Sequence, residues 1–397
     1  MIQKESDQGI NPREEIQGVF PINVPLEARE FSEQQLVNEA EIITKNYIET
    51  ALPALFTMVA NGEGKQKLEG VGGRPGERRS LLDLTASHIL VSIIKERTKQ
   101  AGLPCAIFGE EDIDLSFIKG AKKFMVITDD PIDNSSPYSK GVKGAGVYSV
   151  KSLFDQDGKV IMGVAIDIEN ASVIVSKNGK NMLQKFEMAE KPNGDPKYKE
   201  FEFKTDKHTG KIKMTEEEVF PSDRKTLNDP DATFYTFMGE KKWIELAIND
   251  LLPKLLDVLN PKAHNELSRG GSHLYPFYLA CGRGEAYAIS EEPVSELFTA
   301  WAAITAANLT VLDVKRNGTF EEVKFNPGDF INNPELYQEG YIDFLVVAVT
   351  PEIAHEIARS YSEQIKNVEI QKTKIAFADS RPEEFEIFKA SNKSKNN

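Results

Sequence analysis

The sequence is poor in cysteine and carries fewer basic than acidic residues. Its 397 residues include only two cysteines, Cys105 and Cys281, which is too few for a disulfide framework, and their spacing is not that of a zinc site. We therefore expect reduced, buried thiols. The 48 Lys and Arg against 62 Asp and Glu leave a net charge of −14. Since such a charge repels a phosphate backbone, nucleic acid is not expected as a partner.

Long apolar runs and several common catalytic signatures are also absent. No stretch reaches the roughly 18 apolar residues that a membrane span needs, and the N-terminal residues lack the apolar core of a secretory signal. We therefore expect a cytoplasmic protein without a membrane partner. The patterns GxxxxGK[ST], GxGxxG and GxSxG do not occur, so P-loop, Rossmann and serine-hydrolase chemistry are not supported.

The chain is longer than about 250 to 300 residues, the size at which a single hydrophobic core stops growing. Shifts in composition divide it into segments. Five segments are predicted from charge, Gly and Pro content and apolar periodicity. They are a flexible N-terminal arm (1–33), an N-terminal α+β half (34–182), a charged insertion (183–230), a C-terminal α/β half (231–366) and a polar tail (367–397).

Apolar periodicity predicts helices from Glu33 onward and over LLDLTASHILVSIIKERTKQAG. The segments AIFG and FMVIT predict strands, and VYSVKSLF with KVIMGVAIDI predicts a hairpin closed by Asp-Gly. Further along, KKWIELAINDLLPKLLDVLN and SELFTAWAAITAAN predict helices, and FLVVAVT predicts a strand followed by a helix with Pro351 in its first turn. The segment TDKHTGKIK favours a hairpin within the insertion, and residues 61–80 are typical of a Gly-rich basic loop.

Carboxylates follow two of the predicted strands. Glu110 and Glu111 come after AIFG, and Asp129, Asp130 and Asp133 come after FMVIT. Two Asp separated by two residues in a turn can converge on one hard cation such as Mg²⁺, with a backbone carbonyl between them as a further ligand. A pattern of this kind taken alone is more often a solvated acidic loop. The residues by themselves leave both interpretations open.

Four segments in order resemble the lithium-sensitive, magnesium-dependent phosphatase superfamily of inositol monophosphatases, fructose-1,6-bisphosphatases and 3′-phosphoadenosine phosphate phosphatases. Gly109-Glu110-Glu111 matches the family's GEE, and DPIDNSS over residues 130–136 resembles DPxDG(T/S). The helix beginning SLLDLTASH resembles the family helix that opens with an Asp, here Asp83. The segment GGSHLYPFYLACGRGEAY resembles G(S/T)xxLxLxxVAxGRxDAY. The resemblance covers about residues 35–365.

The resemblance implies an α/β (α+β) fold, a layered αβαβα sandwich, and a site with two or three Mg²⁺ ions. The implied metal ligands are Glu110, Asp130, the carbonyl of Ile132, Asp133, Glu296 and, for a weaker ion, Asp83. The implied catalytic residues are Asp83, Glu110 and Ser135, of which Asp83 and Ser135 would orient the attacking water. The implied phosphate- and substrate-binding residues are Asn134, Ser135, Ser136, Ser272 and Glu296. Backbone N–H groups at a helix start would cradle the phosphate.

Two positions depart from the family pattern. Asn134 stands where the family has Gly, and Asn is the next most tolerant residue for a positive φ. Ser295 and Glu296 stand where the family has Trp and Asp. Glu keeps the charge but extends it by about 1.3 Å, which is large against a coordination tolerance of about 0.2 Å.

We therefore expect a phosphomonoesterase acting on a small phosphorylated polyol, sugar or nucleotide, inhibited by lithium and assembled as a homodimer or tetramer. The alternative is a degenerate relative that binds metal or a phosphorylated ligand without turning it over. Among other candidates, His88 and His273 are expected to be core residues, as are Tyr275, Phe277 and Tyr278. Ser272 is explained equally well as a helix cap.

Overall fold

The computed structural model describes thirteen stretches of the chain. They are residues 31–65, 80–109, 113–115, 118, 121–133, 135, 138, 146–192, 197–229, 231–237, 264–268, 274–315 and 317–362. Most of the predicted arm, most of the Gly-rich loop, the predicted helix over 241–260 and the predicted tail lie outside these residues.

Two long helices begin the described part, as the apolar spacing predicted. Helix α1 spans Glu33–Asn61 and α2 spans Leu81–Ala101. Each begins with a capping box, in which a serine side chain and the residue three positions later satisfy each other's backbone N–H. Each ends at a glycine, Gly62 with φ 71° and Gly102 with φ 69°, a left-handed conformation that glycine adopts without strain.

A mixed sheet packs against these two helices in the strand order β10-β7-β6-β5-β4-β3-β1-β2. Its strands are β1 (Cys105–Gly109), β2 (Ile113–Asp114), β3 (Met125–Asp133), β4 (Tyr148–Asp155), β5 (Val160–Asp167), β6 (Ser172–Lys177), β7 (Lys180–Phe186) and β10 (Met214–Val219). Only β1 and β3 pair in parallel among these strands of the described chain. The predicted β4–β5 hairpin is confirmed.

The charged segment after β7 forms a small ribbon, β8 (Met188–Glu190) with β9 (Phe201–Phe203). The hairpin predicted at TDKHTGKIK is present, closed by a bridge between Thr205 and Ile212. The ribbon is attached to α1: the Phe201 backbone N donates to Thr57 Oγ1 at 2.9 Å, and the Phe56 and Phe201 rings lie 5.0 Å apart. This segment therefore extends the fold at the C-terminal end of α1.

A second sheet has the order β12-β11-β13-β16-β14-β15. Its strands are β11 (Thr233–Phe237), β12 (His264–Ser268), β13 (Ala286–Pro293), β14 (Thr310–Val314), β15 (Phe320–Glu322) and β16 (Tyr341–Ala348). The associated helices are α3 (Leu274–Ala280), α4 (Val294–Thr299), α5 (Trp301–Ala306), α6 (Pro327–Asn332), α7 (Pro334–Glu339) and α8 (351–362). The single helix predicted over residues 295–308 is wrong, since it breaks at Ala300 into α4 and α5.

The elements stack in layers. Helices α1 and α2 cover one face of the first sheet with a continuous apolar core. A second core joins the other face to α3, α4, α5, the second sheet and α8. Helix α5 approaches β5 so closely that a Cβ on Gly163 would lie 2.3 Å from the Ala302 side chain, so this position requires glycine. Among the described helices, none has the length and apolar character needed to cross a bilayer.

Candidate active site

The carboxyl ends of β1 and β3 lie side by side. The strands are parallel, and Gly109 of β1 is in register with Asp129 of β3. The end of β1 therefore lies next to the acidic end of β3. Glu110, the implied ligand at this point, lies outside the described residues, as do Glu111 and Asp112.

The acidic segment after FMVIT is not the turn that the sequence predicted. Residues through Asp133 belong to β3, whose nine residues are all buried. Asp130 and Asp133 are 1% and 4% exposed, so the solvated acidic loop is also wrong. Pairing with β4 shifts register between Asp130 and Asp133, an irregularity of the kind that re-aims side chains next to functional sites. The Ile132 side chain packs into the core beneath α1 and α2.

Alternation along β3 sends consecutive aspartates to opposite faces of the sheet. On one face, Thr128 donates from Oγ1 to the Phe298 carbonyl of α4 at 3.0 Å, and Asp130 is two residues further along the same face. On the other face, Ile127 packs into the core under α1 and α2, and Asp129 follows it. Asp130 therefore belongs to the layer between the sheets, and Asp129 belongs to the layer under the helices.

Helix α4 and the start of α5 are docked on β3 and β4 by three hydrogen bonds that involve buried side chains of the sheet. Besides the Thr128 contact, Ser152 Oγ donates to the Thr299 carbonyl at 2.7 Å and accepts from the Ala302 backbone N at 3.0 Å. Glu296 lies in the first turn of α4 and is half-buried. The docking thus places Glu296 in the same layer as Asp130.

Ser295, which replaces the family's Trp, is buried at 1% exposure. Its carbonyl accepts from Thr299 Oγ1 at 2.7 Å and from the Tyr337 hydroxyl of α7 at 3.3 Å. The Tyr337 ring is fully buried and lies 5.1 Å from that of Phe108, near the end of β1. Helix α7 therefore packs a buried aromatic ring between the start of α4 and the end of β1.

Asp83 has a structural role in addition to any chemical one. Its Oδ2 accepts from the Ser80 backbone N at 2.7 Å, and its own backbone N donates to Ser80 Oγ at 3.1 Å. The residue is 4% exposed. Asp83 therefore completes the N-terminal cap of α2, a role that explains a carboxylate here without a metal.

A row of polar side chains continues from Asp133 across the sheet. Asp133 is paired with Tyr148 of β4, and Tyr148 is paired with Asp167 of β5. The Tyr148 hydroxyl lies 2.9 Å from that of Tyr278 on α3. Burial raises the pKa of Tyr148, Tyr278 and Asp167. Both tyrosines therefore remain protonated at neutral pH; one hydroxyl donates to the other, and the second keeps its proton for a further hydrogen bond.

Sequence reasoning missed a charged cluster on the helix side of β3. Lys151 of β4, with its side chain 2% exposed, places Nζ 2.8 Å from Asp129 Oδ1. The same Nζ donates to Ser149 Oγ at 2.9 Å and lies 3.8 Å from the centre of the Tyr47 ring. Burial opposes the ammonium charge, but Asp129 and Tyr47 outweigh it and raise the pKa of Lys151. The sequence feature that could have indicated this cluster is Lys151 itself, the one charged residue among the eight of the strand segment VYSVKSLF.

The remaining predicted site residues are placed as follows. Ser135 is helical and half-buried, as expected for a helix beginning after β3. Asn134, Ser136 and Ser272 lie outside the described residues. His273 also does.

Predictions for the other singled-out side chains had mixed outcomes. His88 is exposed, so the expectation of a core histidine is wrong there. Tyr275 and Phe277 are buried in the core as predicted, and Tyr278 packs against it. Both cysteines are free thiols, Cys105 buried and Cys281 only half-buried.

The implied magnesium ligands at the end of β3 are all oxygen donors. Asp130, Asp133 and the Ile132 carbonyl offer only oxygen, which is what a hard cation takes. Within the residues that the structure describes, no group of three or more His, Cys, Asp or Glu side chains is arranged to hold a metal ion. The donor chemistry fits magnesium, but the implied carboxylate ligands that the structure describes, Asp83, Asp130, Asp133 and Glu296, do not form such a group, and Glu110 lies outside the described residues.

The fold is similar to those of several solved structures. Extragenic suppressor protein SuhB of Bartonella henselae has 13% identity and a TM-score of 0.52, covering 81% of this chain and 97% of that chain. The IMPase of Thermotoga maritima has 14% identity and a TM-score of 0.51, covering 83% and 99%. An inositol monophosphatase-fructose 1,6 bisphosphatase has 16% identity and a TM-score of 0.51, covering 81% and 98%. The sequence matches no protein-family model and no curated protein. The chain therefore has the inositol monophosphatase fold, and the expected fold class is confirmed.

Proposed function

We propose that this chain is a magnesium-dependent phosphomonoesterase that hydrolyses a small phosphorylated polyol, sugar or nucleotide. The observation that carries the proposal is the burial of Asp130 and Asp133, at 1% and 4% exposure, on either side of the irregular end of β3. Their carboxylate oxygens are the donors that a hard cation such as Mg²⁺ takes. The inositol monophosphatase fold around these residues supports the same chemistry.

The roles proposed for the chain's own residues follow from their positions. Asp130, Asp133 and Glu110 would bind the metal ions, with Glu296 contributing from α4. Bound magnesium supplies a Lewis acid that neutralises charge on the phosphoryl oxygens. The backbone N–H groups around Ser135 would receive the phosphate at a helix start.

Asp83 and the tyrosine pair complete the proposed site. The capping N–H of Ser80 holds Asp83 in one orientation, which suits a carboxylate that orients water with the Ser135 hydroxyl. Tyr148 and Tyr278, joined through their hydroxyls, would form a wall next to Asp133 that can bind substrate hydroxyl groups.

The test is phosphate release with and without magnesium from inositol 1-phosphate, fructose 1,6-bisphosphate and 3′-phosphoadenosine 5′-phosphate. Asp130→Asn removes a buried charge at nearly constant volume, so we expect release to fall roughly 100-fold, since metal assistance contributes several kcal/mol. The matched control is Asp157→Asn in the β4–β5 turn, where the aspartate is exposed. Release that survives chelation, or that persists in Asp130→Asn, contradicts the proposal.

A second candidate is a binding protein that takes up metal or a phosphorylated ligand without turnover. Two observations favour it: Asp83 is already engaged in capping α2, and Glu296 replaces a shorter aspartate. Calorimetry with magnesium and inositol 1-phosphate distinguishes the two candidates. Heat of binding without phosphate release from any of the three esters supports the binding protein.

A further inference from the structure

Asp129 and Lys151 form an ion pair within an otherwise apolar layer of the fold. Both side chains are almost fully buried, at 5% and 2% exposure, in a layer otherwise built from the apolar residues of α1, α2 and the sheet. Tyr47 and Ser149, whose side-chain oxygens lie 2.9 Å apart, complete the cluster around the ammonium group. Asp129 of β3 therefore pairs with Lys151 of β4, and Lys151 also contacts Tyr47 of α1.

Stability alone does not account for the pair. Removing two charges from water costs several kcal/mol per ion, and apolar residues of the same size are often equally or more stabilising in such places. Leu and Met would fill the same space in this apolar layer. The pair contributes something that apolar packing does not, namely a directional contact between two fixed atoms.

The position of the pair indicates what that contact fixes. Asp129 and Lys151 are direct cross-strand partners in β3 and β4. The next rung is Asp130 with Val150, and regular pairing is then interrupted up to Asp133. The ion pair thus lies immediately before the segment in which the backbone departs from the ladder. An irregular segment has fewer ladder hydrogen bonds to define it, so its geometry depends on its anchor points.

We propose that Asp129 and Lys151 form a positioning pair, which holds the end of β3 so that Asp130 and Asp133 keep one arrangement on the opposite side of the strand. For turnover this inference rests on the proposed function, but for backbone geometry it does not. Neither residue of the pair touches the reacting atoms. The Tyr47 ring of α1 contacts the Lys151 ammonium group, and the Ser149 hydroxyl contacts both, so the pair is tied to α1.

The experiment replaces the whole pair, Asp129→Leu with Lys151→Met, in the full chain. Hydrogen–deuterium exchange of β3 is measured without metal, together with magnesium binding by calorimetry, thermal unfolding and phosphate release. The matched control is Glu39→Met with Arg97→Met, which removes the bidentate pair between α1 and α2, at 2.9 and 2.8 Å. Arg97 lies 14 residues beyond Asp83 on α2, about 21 Å away along the helix.

We expect the β3 variant to unfold within a few degrees of the parent while the amides of Asp130, Ile132 and Asp133 exchange about tenfold faster or more. Magnesium affinity and kcat should each fall about tenfold or more, because small misplacements of reacting groups are costly. The control pair should leave all of these values unchanged. Parent-like exchange in the β3 variant, or equal acceleration in the control, overturns the inference.

Two further arms keep the outcome decisive. If the apolar pair does not fold, Asp129→Asn with Lys151→Gln takes its place, judged by the same exchange criterion. If the parent protein releases no phosphate from any ester, the proposed function fails, while the exchange of Asp130 and Asp133 still decides whether the pair positions β3.

Discussion

The two faces of β3 carry the same side chain in different surroundings. Asp129 points under the helices, where it pairs with Lys151, whose ammonium group also contacts Ser149 and the Tyr47 ring. Asp130 points into the layer of α4, where Thr128 Oγ1 donates to the Phe298 carbonyl and the half-buried Glu296 lies in the first turn of the helix. Strand alternation alone separates these two neighbours.

We therefore expect the two consecutive residues to differ in role, Asp129 in holding the fold and Asp130 in the proposed chemistry. A carboxylate that already has an ammonium partner is a part of the scaffold, since a metal ion would compete with that partner. Asp130 lies in the same layer as the half-buried Glu296, and its role as a metal ligand is part of the proposed function. The two residues are adjacent in the sequence, and the alternation of the strand places their side chains on opposite faces of the sheet.

The largest expected effect on stability comes from removing Lys151 alone, on the helix side of β3. Lys151→Met leaves Asp129 buried without its cation, so we expect the free energy of unfolding to fall by about 3–5 kcal/mol. Urea denaturation followed by circular dichroism measures it. Lys159→Met is the control, because Lys159 pairs with Glu33 on the surface and its side chain is 67% exposed. A loss for Lys151→Met no greater than for this surface variant would show that the buried pair is not a scaffold element.

A smaller effect tests whether Asp83 belongs to the scaffold or to the chemistry. Ser80→Ala removes the hydroxyl that caps α2, and we expect a loss of about 1 kcal/mol in the free energy of unfolding. Asp83→Asn keeps an oxygen to accept from the Ser80 N–H, so its stability loss should be smaller. Phosphate release then decides the role: Asp83→Asn with parent-like release places Asp83 with the cap alone, whereas a large loss at constant stability assigns it a chemical role.

Part of this comparison could be predicted from the sequence. Helices α1 and α2 were predicted because their apolar residues recur at helical spacing. The end of β3 was not, because Asp and Pro are typical of turns and are depleted in strands. Burial between two layers overrode that local preference, and no local pattern reports it.

The site shows the same division between local and distant information. The carboxylates at the end of β3 could be named from a short motif. The docking of α4 could not, because Thr128 and Phe298 are 170 residues apart and Ser152 and Thr299 are 147 apart. The break at Ala300 was missed because an alanine-rich segment favours one continuous helix. Lys151 was missed because its partner Asp129 was assigned to the neighbouring turn.

A smaller change in stability is expected from removing the hydrogen bond between Tyr337 of α7 and the Ser295 carbonyl. Tyr337→Phe keeps the ring against Phe108 and removes only the hydroxyl that donates to the Ser295 carbonyl at 3.3 Å. Since Thr299 Oγ1 still donates to that carbonyl, we expect a loss of about 0.5 kcal/mol in the free energy of unfolding. Tyr235→Phe is the matched control, because its hydroxyl donates to the Arg283 carbonyl just before β13, while Ser295 follows the other end of that strand. Lower magnesium affinity in Tyr337→Phe but not in the control would show that α7 acts on Glu296.

The smallest effect is a pH dependence at the far end of the row that starts at Asp133. Burial raises the pKa of Asp167 above its ordinary value of 3.8, although Asn170 donates to it from both backbone and side chain. The folded state therefore holds this proton more tightly than the unfolded state, and the contribution of Asp167 to stability is present below about pH 4 and declines as pH rises through the raised value. Asp167→Asn should remove that decline, which unfolding curves between pH 3 and pH 7 would detect against Asp157→Asn. An unchanged pH profile would mean that Asp167 is as well solvated in the folded chain as in the unfolded one, and that the polar row ends at Tyr148.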